Sequence, residues 1–225
     1  MRATRVSLVG FVLFGLLGCQ NVSKLEFSRL GSRAAWQHPE RVVDVLALEP
    51  GQTVADLGAG EGYFLPYLSN AVGANGKVYA VEVDAELVQE LERFVADAGL
   101  ENVQVVRGEF EDPMLPDGAI DVLFTVNTFH HIEDQAPYFA RLRERDLRPS
   151  GRVAILEPNQ DLGGVLSLFQ NAGHWSRSAD VVDALQAAGF QHTTSHDFLP
   201  VQIFEVFAPL ENPADARTER AQSRE

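Results

Sequence analysis

Short apolar runs and amphipathic stretches alternate along most of the chain. The apolar runs lie near 53–57, 77–83, 103–107, 120–126 and 151–157, and each is short enough to be a strand covered on both faces. Helical spacing predicts helices near 62–72, 85–98 and 134–147 between them, and a further amphipathic helix over 39–48 led by Pro39-Glu40. Pro149-Ser150-Gly151 ends the helix over 134–147 and turns into the fifth strand. Later, Ser178 can cap a helix over 179–188 that stops at Gly189. Two strands near 191–198 and 201–208 follow, with Leu199-Pro200 between them short enough for a hairpin. Strand and helix in strict alternation predict an α/β domain on a mostly parallel sheet that finishes in an antiparallel hairpin. No internal repeat is visible.

The most informative local pattern joins the first strand to the next helix, Val54-Ala-Asp-Leu-Gly-Ala-Gly-Glu-Gly-Tyr-Phe64. Gly58, Gly60 and Gly62 remove side chains that would hold a ligand off the backbone, and a helix starting near Gly62 or Tyr63 would point its unpaired amides into the turn. A nucleotide-like ligand follows. The dinucleotide fingerprint requires a third glycine at position 63, which is Tyr, and the phosphate-binding loop requires a Gly-Lys-Ser/Thr that is absent. The second strand, Lys77 to Val83, delivers Glu82 to its C-terminal end, 24 residues after Gly58. A carboxylate there can accept both hydroxyls of a ribose, so an adenosine ligand is favoured over a bare phosphate.

With Asp56 at the strand end and this glycine spacing, the turn resembles motif I of the class I S-adenosylmethionine (SAM) dependent methyltransferases. The resemblance covers about residues 36–208. It implies a Rossmann-like class I methyltransferase sandwich with a seven-stranded, mostly parallel sheet in the order 3-2-1-4-5-7-6, with SAM as cofactor. It also implies that Asp56, Gly58, Ala59, Gly60, Gly62, Tyr63, Glu82 and Val83 line the cofactor site. Gly108 to Asp121 resembles the family stretch leading from the adenine-contacting acid to the fourth strand. In that register Glu109 takes the adenine amino group and Phe110 covers the ring or bonds it through its backbone. Leu147 to Glu157 resembles the helix-to-strand-5 motif, with Ser150 in place of a glycine, and is structural.

The fourth strand ends in Thr125-Val-Asn-Thr-Phe-His-His-Ile132, which puts Asn127, His130 and His131 beside the sulfonium end of the implied ligand. The two histidines are read either as satisfied loop or core residues or as a general base and substrate-orienting donor. Adjacent side chains point to different sides of a helix or strand, so they make a poor metal pair and no metal is assigned. Glu157, His174, Trp175 and His196 are weaker candidates for the same pocket. No nucleophile motif such as G-x-S-x-G occurs.

The N-terminus is of another kind. Arg2 and Arg5 precede an apolar stretch, Val6 to Gly18, too short to span a bilayer, which ends in Leu16-Leu17-Gly18-Cys19. This resembles a bacterial lipobox, which implies a lipoprotein signal over 1–18 and a lipid on Cys19, the only cysteine. Gln20, by the family sorting rule, favours the outer membrane facing the periplasm, with attachment through more than one acyl chain. The remaining chain divides into a tether (19–38), the methyltransferase domain (39–208) and a polar tail (209–225) expected to be disordered.

Composition sharpens the choice of partner. The formal net charge is −14, and removing residues 1–18 takes away two arginines and no acid. Such a surface repels phosphate backbones, so a small-molecule methyl acceptor is expected and a nucleic acid is not. The basic stretch Arg141 to Arg148 alternates with Glu144 and Asp146 and reads as a solvated helix face. The alternative in another class is a lipoprotein that binds SAM or another adenosine metabolite without turning it over, since SAM is made in the cytoplasm.

Overall fold

The computed structural model describes residues 33–160 and 175–210. The expected signal, Cys19, residues 19–32 of the expected tether, His174 and the expected tail from residue 211 lie outside them. The chain divides into two units, Met1–Trp36 and Gln37–Glu225. Of the first, only residues 33–36 are described, within a short helix α1 (Arg33–Gln37). The expected tether is therefore helical at its end, and Gln37, in the second unit, is fully buried.

The second unit runs α2 (Pro39–Leu46), β1 (Thr53–Leu57), α3 (Leu65–Val72), β2 (Lys77–Glu82), α4 (Ala85–Asp97), β3 (Val103–Arg107) and β4 (Ile120–Val126). A 3₁₀ turn (Phe129–His131), α5 (Gln135–Arg145), β5 (Leu147–Pro158), α6 (Ser178–Ala187), β6 (Phe190–His196) and β7 (Gln202–Pro209) complete it. The sheet order is β3-β2-β1-β4-β5-β7-β6, with β7 antiparallel to both its neighbours and the other pairs parallel. This is the expected class I order.

Alternation along the strands builds two cores. Val54, Phe124, Leu156 and Phe204 pack with Val42, Leu46, Leu68 and Leu91 from α2, α3 and α4. Their strand neighbours Ala55, Leu123, Ile155 and Phe207 face the other way, onto Phe139, Leu142 and Leu185 from α5 and α6. The edge strands β3 and β6 are more exposed and carry polar residues outward. From β1 the chain moves outward to β2 and β3 and then returns to place β4 on the other side of β1, so the strand order reverses there and a crevice is expected at the C-terminal ends of these strands.

Several boundaries depart from the expected ones for local reasons. The third helix starts at Leu65, because Gly60 and Gly62 have φ of 55° and 81°, which no right-handed helix accommodates. The first amphipathic helix stops at Leu46, where Ala47 turns left-handed at φ 44°. Helix α5 ends at Arg145, since the carbonyls of Arg145 and Asp146 are taken by the amides of Gly118, Ala119 and Ile120. Strand β5 thus begins at Leu147, before the expected Gly151, and pairs Leu147 with Ile120 across a bulge. A Cβ on Gly151 would lie 3.0 Å from the carbonyl oxygen of Ile120, so this close approach requires glycine. The last two strands are joined by residues 197–201 and not by two residues. Leu199 leaves the sheet to be buried, and Phe198 lies under the Arg41 guanidinium at 4.0 Å.

Phe124 is fully buried at the centre of β4 and meets Phe64 edge-on at 5.1 Å. Phe124→Ala removes that contact and leaves a cavity between β4 and α3. It is expected to lower unfolding free energy by about 3–5 kcal/mol in urea titrations followed by circular dichroism.

Candidate functional site

The site is built where backbone amides at the ends of β1, β2 and β4 find acceptors. Leaving β1, the chain turns across the end of β2, and the amides of Gly58 and Ala59 both donate to the carbonyl of Val81 at 2.9 Å. The Glu82 carboxylate, only 8% exposed, then ties the two turns together. It accepts from the Gly60 amide at 3.0 Å and from the Val83 and Asp84 amides at 2.8 and 3.1 Å. Asp84 in turn caps α4 by accepting from the amides of Glu86 and Leu87. A carboxylate has about four lone-pair directions, so one remains for a ligand hydroxyl after three amides are served.

The three glycines of the turn serve different ends. A Cβ on Gly58 would strike the side chain of Thr128, so this glycine lets the β1 turn meet the β4 turn. A Cβ on Gly62 would strike Leu91 and Phe94, so this one seats the turn on α4. Only at Gly60 would a Cβ meet nothing within 4 Å, and there the backbone borders open space at φ 55°. Of the three, Gly60 leaves the backbone open, beside the Glu82 carboxylate, while the other two are required by packing on protein. An adenosine placed there would meet bare backbone and a carboxylate acceptor.

The remaining expected cofactor residues divide by burial. Asp56 is 3% exposed inside β1, between Ala80 and Phe124 of its neighbours, and lies beneath the turn. Ala59, Tyr63 and Val83 are half-buried around the turn, with Tyr63 edge-on to Phe64 at 5.1 Å. Glu109 is exposed and Phe110 is 81% exposed at the end of β3, where an apolar ring is open to a planar ligand. Their loop is held by α5: Arg145 grips Asp112 with both terminal nitrogens, and Arg141 donates to the Glu111 carbonyl at 2.9 Å. The hydrogen bonds from Arg145 hold the Asp112 carboxyl below the usual carboxylate range, while burial pushes that of Asp146 up. Several arginines of the basic stretch therefore brace neighbouring segments, where the sequence suggested only a solvated face.

Beyond β4 the second half of the site begins. Asn127 takes a left-handed φ of 55°, and its amide donates to the Leu156 carbonyl at 2.8 Å. Its side-chain oxygen accepts from Gln202 at 2.8 Å, and Gln202 accepts from Gln37 at 3.0 Å. Gln37 and Gln202 are both buried, so a line of amides from α1 and β7 fixes Asn127. Neither glutamine was expected at the site, because pairs 75 and 165 residues apart have no local signal.

The 3₁₀ turn that follows is anchored by Phe129, buried against Phe139 at 5.8 Å. Adjacent side chains do not diverge here: the tight turn lays the His131 ring on that of His130 with centroids 4.0 Å apart. His130 is largely buried and its Nδ1 lies 2.5 Å from Glu157 Oε2, while His131 is exposed. Glu157, at the end of β5, is fully buried and also accepts from the Phe129 amide at 2.8 Å and the Ser176 hydroxyl at 3.4 Å. Of the weaker candidates Glu157 joins this cluster, and Trp175 is half-buried next to Ser176. His196 packs on Phe204 of β7 at 5.2 Å.

Comparison with known proteins follows the same outline. Residues 54–151 match the family model described as a methyltransferase domain. Nocamycin O-methyltransferase of Saccharothrix syringae is 29% identical over 143 residues, which are 64% of this chain and 48% of the relative. Arsenite methyltransferase of Halobacterium salinarum is 33% identical over 112 residues, 48% of this chain and 28% of the relative. The chain thus spans about half or less of the length of these curated relatives. Among solved structures, a SAM dependent methyltransferase from Aquifex aeolicus superimposes with a TM-score of 0.70 at 28% identity, covering 83% of this chain and 98% of that one.

Gly58→Ala places a methyl group against Thr128 at a φ of 78°. It is expected to cost about 1–3 kcal/mol in urea melts, of which the double variant with Thr128→Ala recovers a part, since the backbone strain remains.

Proposed function

We propose that the chain, which matches a methyltransferase-domain model over residues 54–151 and shares its fold with a SAM dependent methyltransferase, is a class I SAM-dependent methyltransferase that transfers a methyl group to a small-molecule acceptor. The observation that carries this reading is the cradle: a glycine turn with open space at Gly60, closed by a buried carboxylate from the neighbouring strand. In this reading Glu82 accepts from the ribose, Gly60 and Ala59 border the amino-acid portion, and Glu109 and Phe110 flank the adenine. Asn127 donates from its side-chain amide at the sulfonium end, its oxygen being held by Gln202. When bound, SAM supplies an electrophilic methyl carried on sulfonium. The residues of the chain hold and orient the reactants and exclude water, with His130 and His131 at the acceptor side. The acidic surface supports a small acceptor over a nucleic acid.

Glu82→Gln tests the reading by calorimetric titration with SAM. Both carboxylate oxygens already take backbone amides, so either orientation of the Gln amide sets an NH₂ against an N–H. Affinity is expected to fall about ten- to a hundredfold, with a lower melting temperature, because charge-assisted bonds are worth about 1.5–3 kcal/mol each. Unchanged affinity in a folded variant would place the ligand elsewhere. No binding of SAM by the parent would remove the methyltransferase reading, and binding without turnover of any acceptor would favour the non-catalytic alternative.

We also infer export and lipid attachment at Cys19, with the outer membrane facing the periplasm as the destination. This rests on the basic start, the apolar run and Leu16-Leu17-Gly18-Cys19. Cys19→Ser is expected to abolish incorporation of a labelled fatty acid and to release the protein from the membrane fraction. Label retained by the Ser variant would overturn the assignment.

A further inference from the structure

Glu157 stands apart among the carboxylates of the described core, for it is fully buried at the end of β5 and paired with a histidine at the mouth of the crevice. Its contacts are unequal. Oε1 takes the Phe129 amide, a backbone donor that cannot reverse its role, and Oε2 takes His130 Nδ1 and the Ser176 hydroxyl. An ionised carboxylate only accepts, so the ring nitrogen facing it must carry a hydrogen. In neutral His130 the lone pair then sits on Nε2, and the ring cannot exchange the two roles without breaking its bond to Glu157.

We propose that Glu157 is a positioning residue that fixes His130 as the Nδ1–H tautomer, making Nε2 a general base for a methyl acceptor bearing an ionisable O–H or N–H. The proposal rests on the methyltransferase reading and adds the acceptor class to it. In the step, the acceptor's O–H or N–H bond breaks, its electron pair stays on that oxygen or nitrogen, and the proton bonds Nε2. The imidazolium so formed faces the Glu157 carboxylate, which stabilises it where water is excluded. The ionisable groups shown against His130 are Glu157 from β5 and His131 of the same turn, its ring tilted by 46° at a centroid distance of 4.0 Å. A second positive charge on His131 would oppose the imidazolium, so the base works with His131 neutral. Acceptors that offer only a lone pair, with no proton to lose, would gain nothing from this arrangement.

The test is nitrogen NMR of the ¹⁵N-histidine-labelled full chain with its imidazoles neutral, comparing the tautomers of the parent with those of Glu157→Gln. Since the Phe129 amide must face an oxygen, the Gln NH₂ is left pointing at His130 Nδ1, which then has to accept. The parent is expected to show Nδ1–H and a pyridine-like Nε2, and the variant the reverse. His192, paired with Glu205 at 2.7 Å on β6 and β7, should keep its tautomer and controls for general disturbance. A parent whose His130 is Nε2–H overturns the proposal, as does a folded variant with an unchanged tautomer. If the variant does not fold, the parent spectrum alone still decides the tautomer. A SAM titration of the parent separates the two readings: no SAM binding would defeat the methyltransferase reading, whereas a wrong tautomer with SAM bound defeats only this proposal.

Discussion

Parallel strands that stop together leave their last amides without partners in the sheet, and in this protein two buried carboxylates answer that need. Glu82 gathers three amides from the turns after β1 and β2, and Glu157 gathers the Phe129 amide, His130 and Ser176 after β4 and β5. Each fixes the backbone of a turn it does not belong to. Buried carboxylates are costly unless fully hydrogen-bonded, and here the bonds that satisfy them are the ones that shape the crevice.

The two carboxylates divide the crevice into halves of different character. Around Glu82 most bonding groups are backbone amides and the side chains are small, a surface suited to a ligand that must come close to the chain. Around Glu157 the groups are side chains: imidazoles, a hydroxyl, and the amide line from Gln37 through Gln202 to Asn127. Where Thr128 meets Gly58 the halves touch, so the β1 and β4 turns keep a fixed separation. The proposed methyl transfer would depend on such a fixed distance between donor and acceptor more than on reactive groups.

Charged residues elsewhere serve the same geometry. Arg145 couples the loop bearing Glu109 and Phe110 to α5 through Asp112 and Asp146, and Arg152 reaches the carbonyl of Leu46 at the end of α2 at 2.8 Å. On the hairpin, Glu205 is buried and accepts from Ser178, His192 and Ser195, which ties α6 to β6 and β7. The excess of acid in the sequence is thus partly internal, with carboxylates acting as acceptors at the joints between elements.

Read as a sequence, the chain determined its strands and helices, because apolar period and glycine placement are local properties: β1, β3 and β4 lie where the apolar runs put them. The motif I spacing likewise determined the turn, since Gly60 leaves its backbone open while Gly58 and Gly62 let it pack on Thr128 and on Leu91 and Phe94. The boundaries moved only where partners distant in sequence intervened, as when the amides of residues 118–120 ended α5 and brought β5 forward to Leu147. Tertiary structure alone decided what each polar residue does. Glu157 reads in sequence as a weaker pocket candidate at the end of an apolar strand, with no sign of its partners, and Gln37 and Gln202 as unremarked amides. Their roles come from partners 27, 165 and 75 residues away, brought within hydrogen-bond distance by packing of the sheet. Hydrogen bonds between side chains depend on direction as well as distance, and direction is set only when every backbone around them is in place.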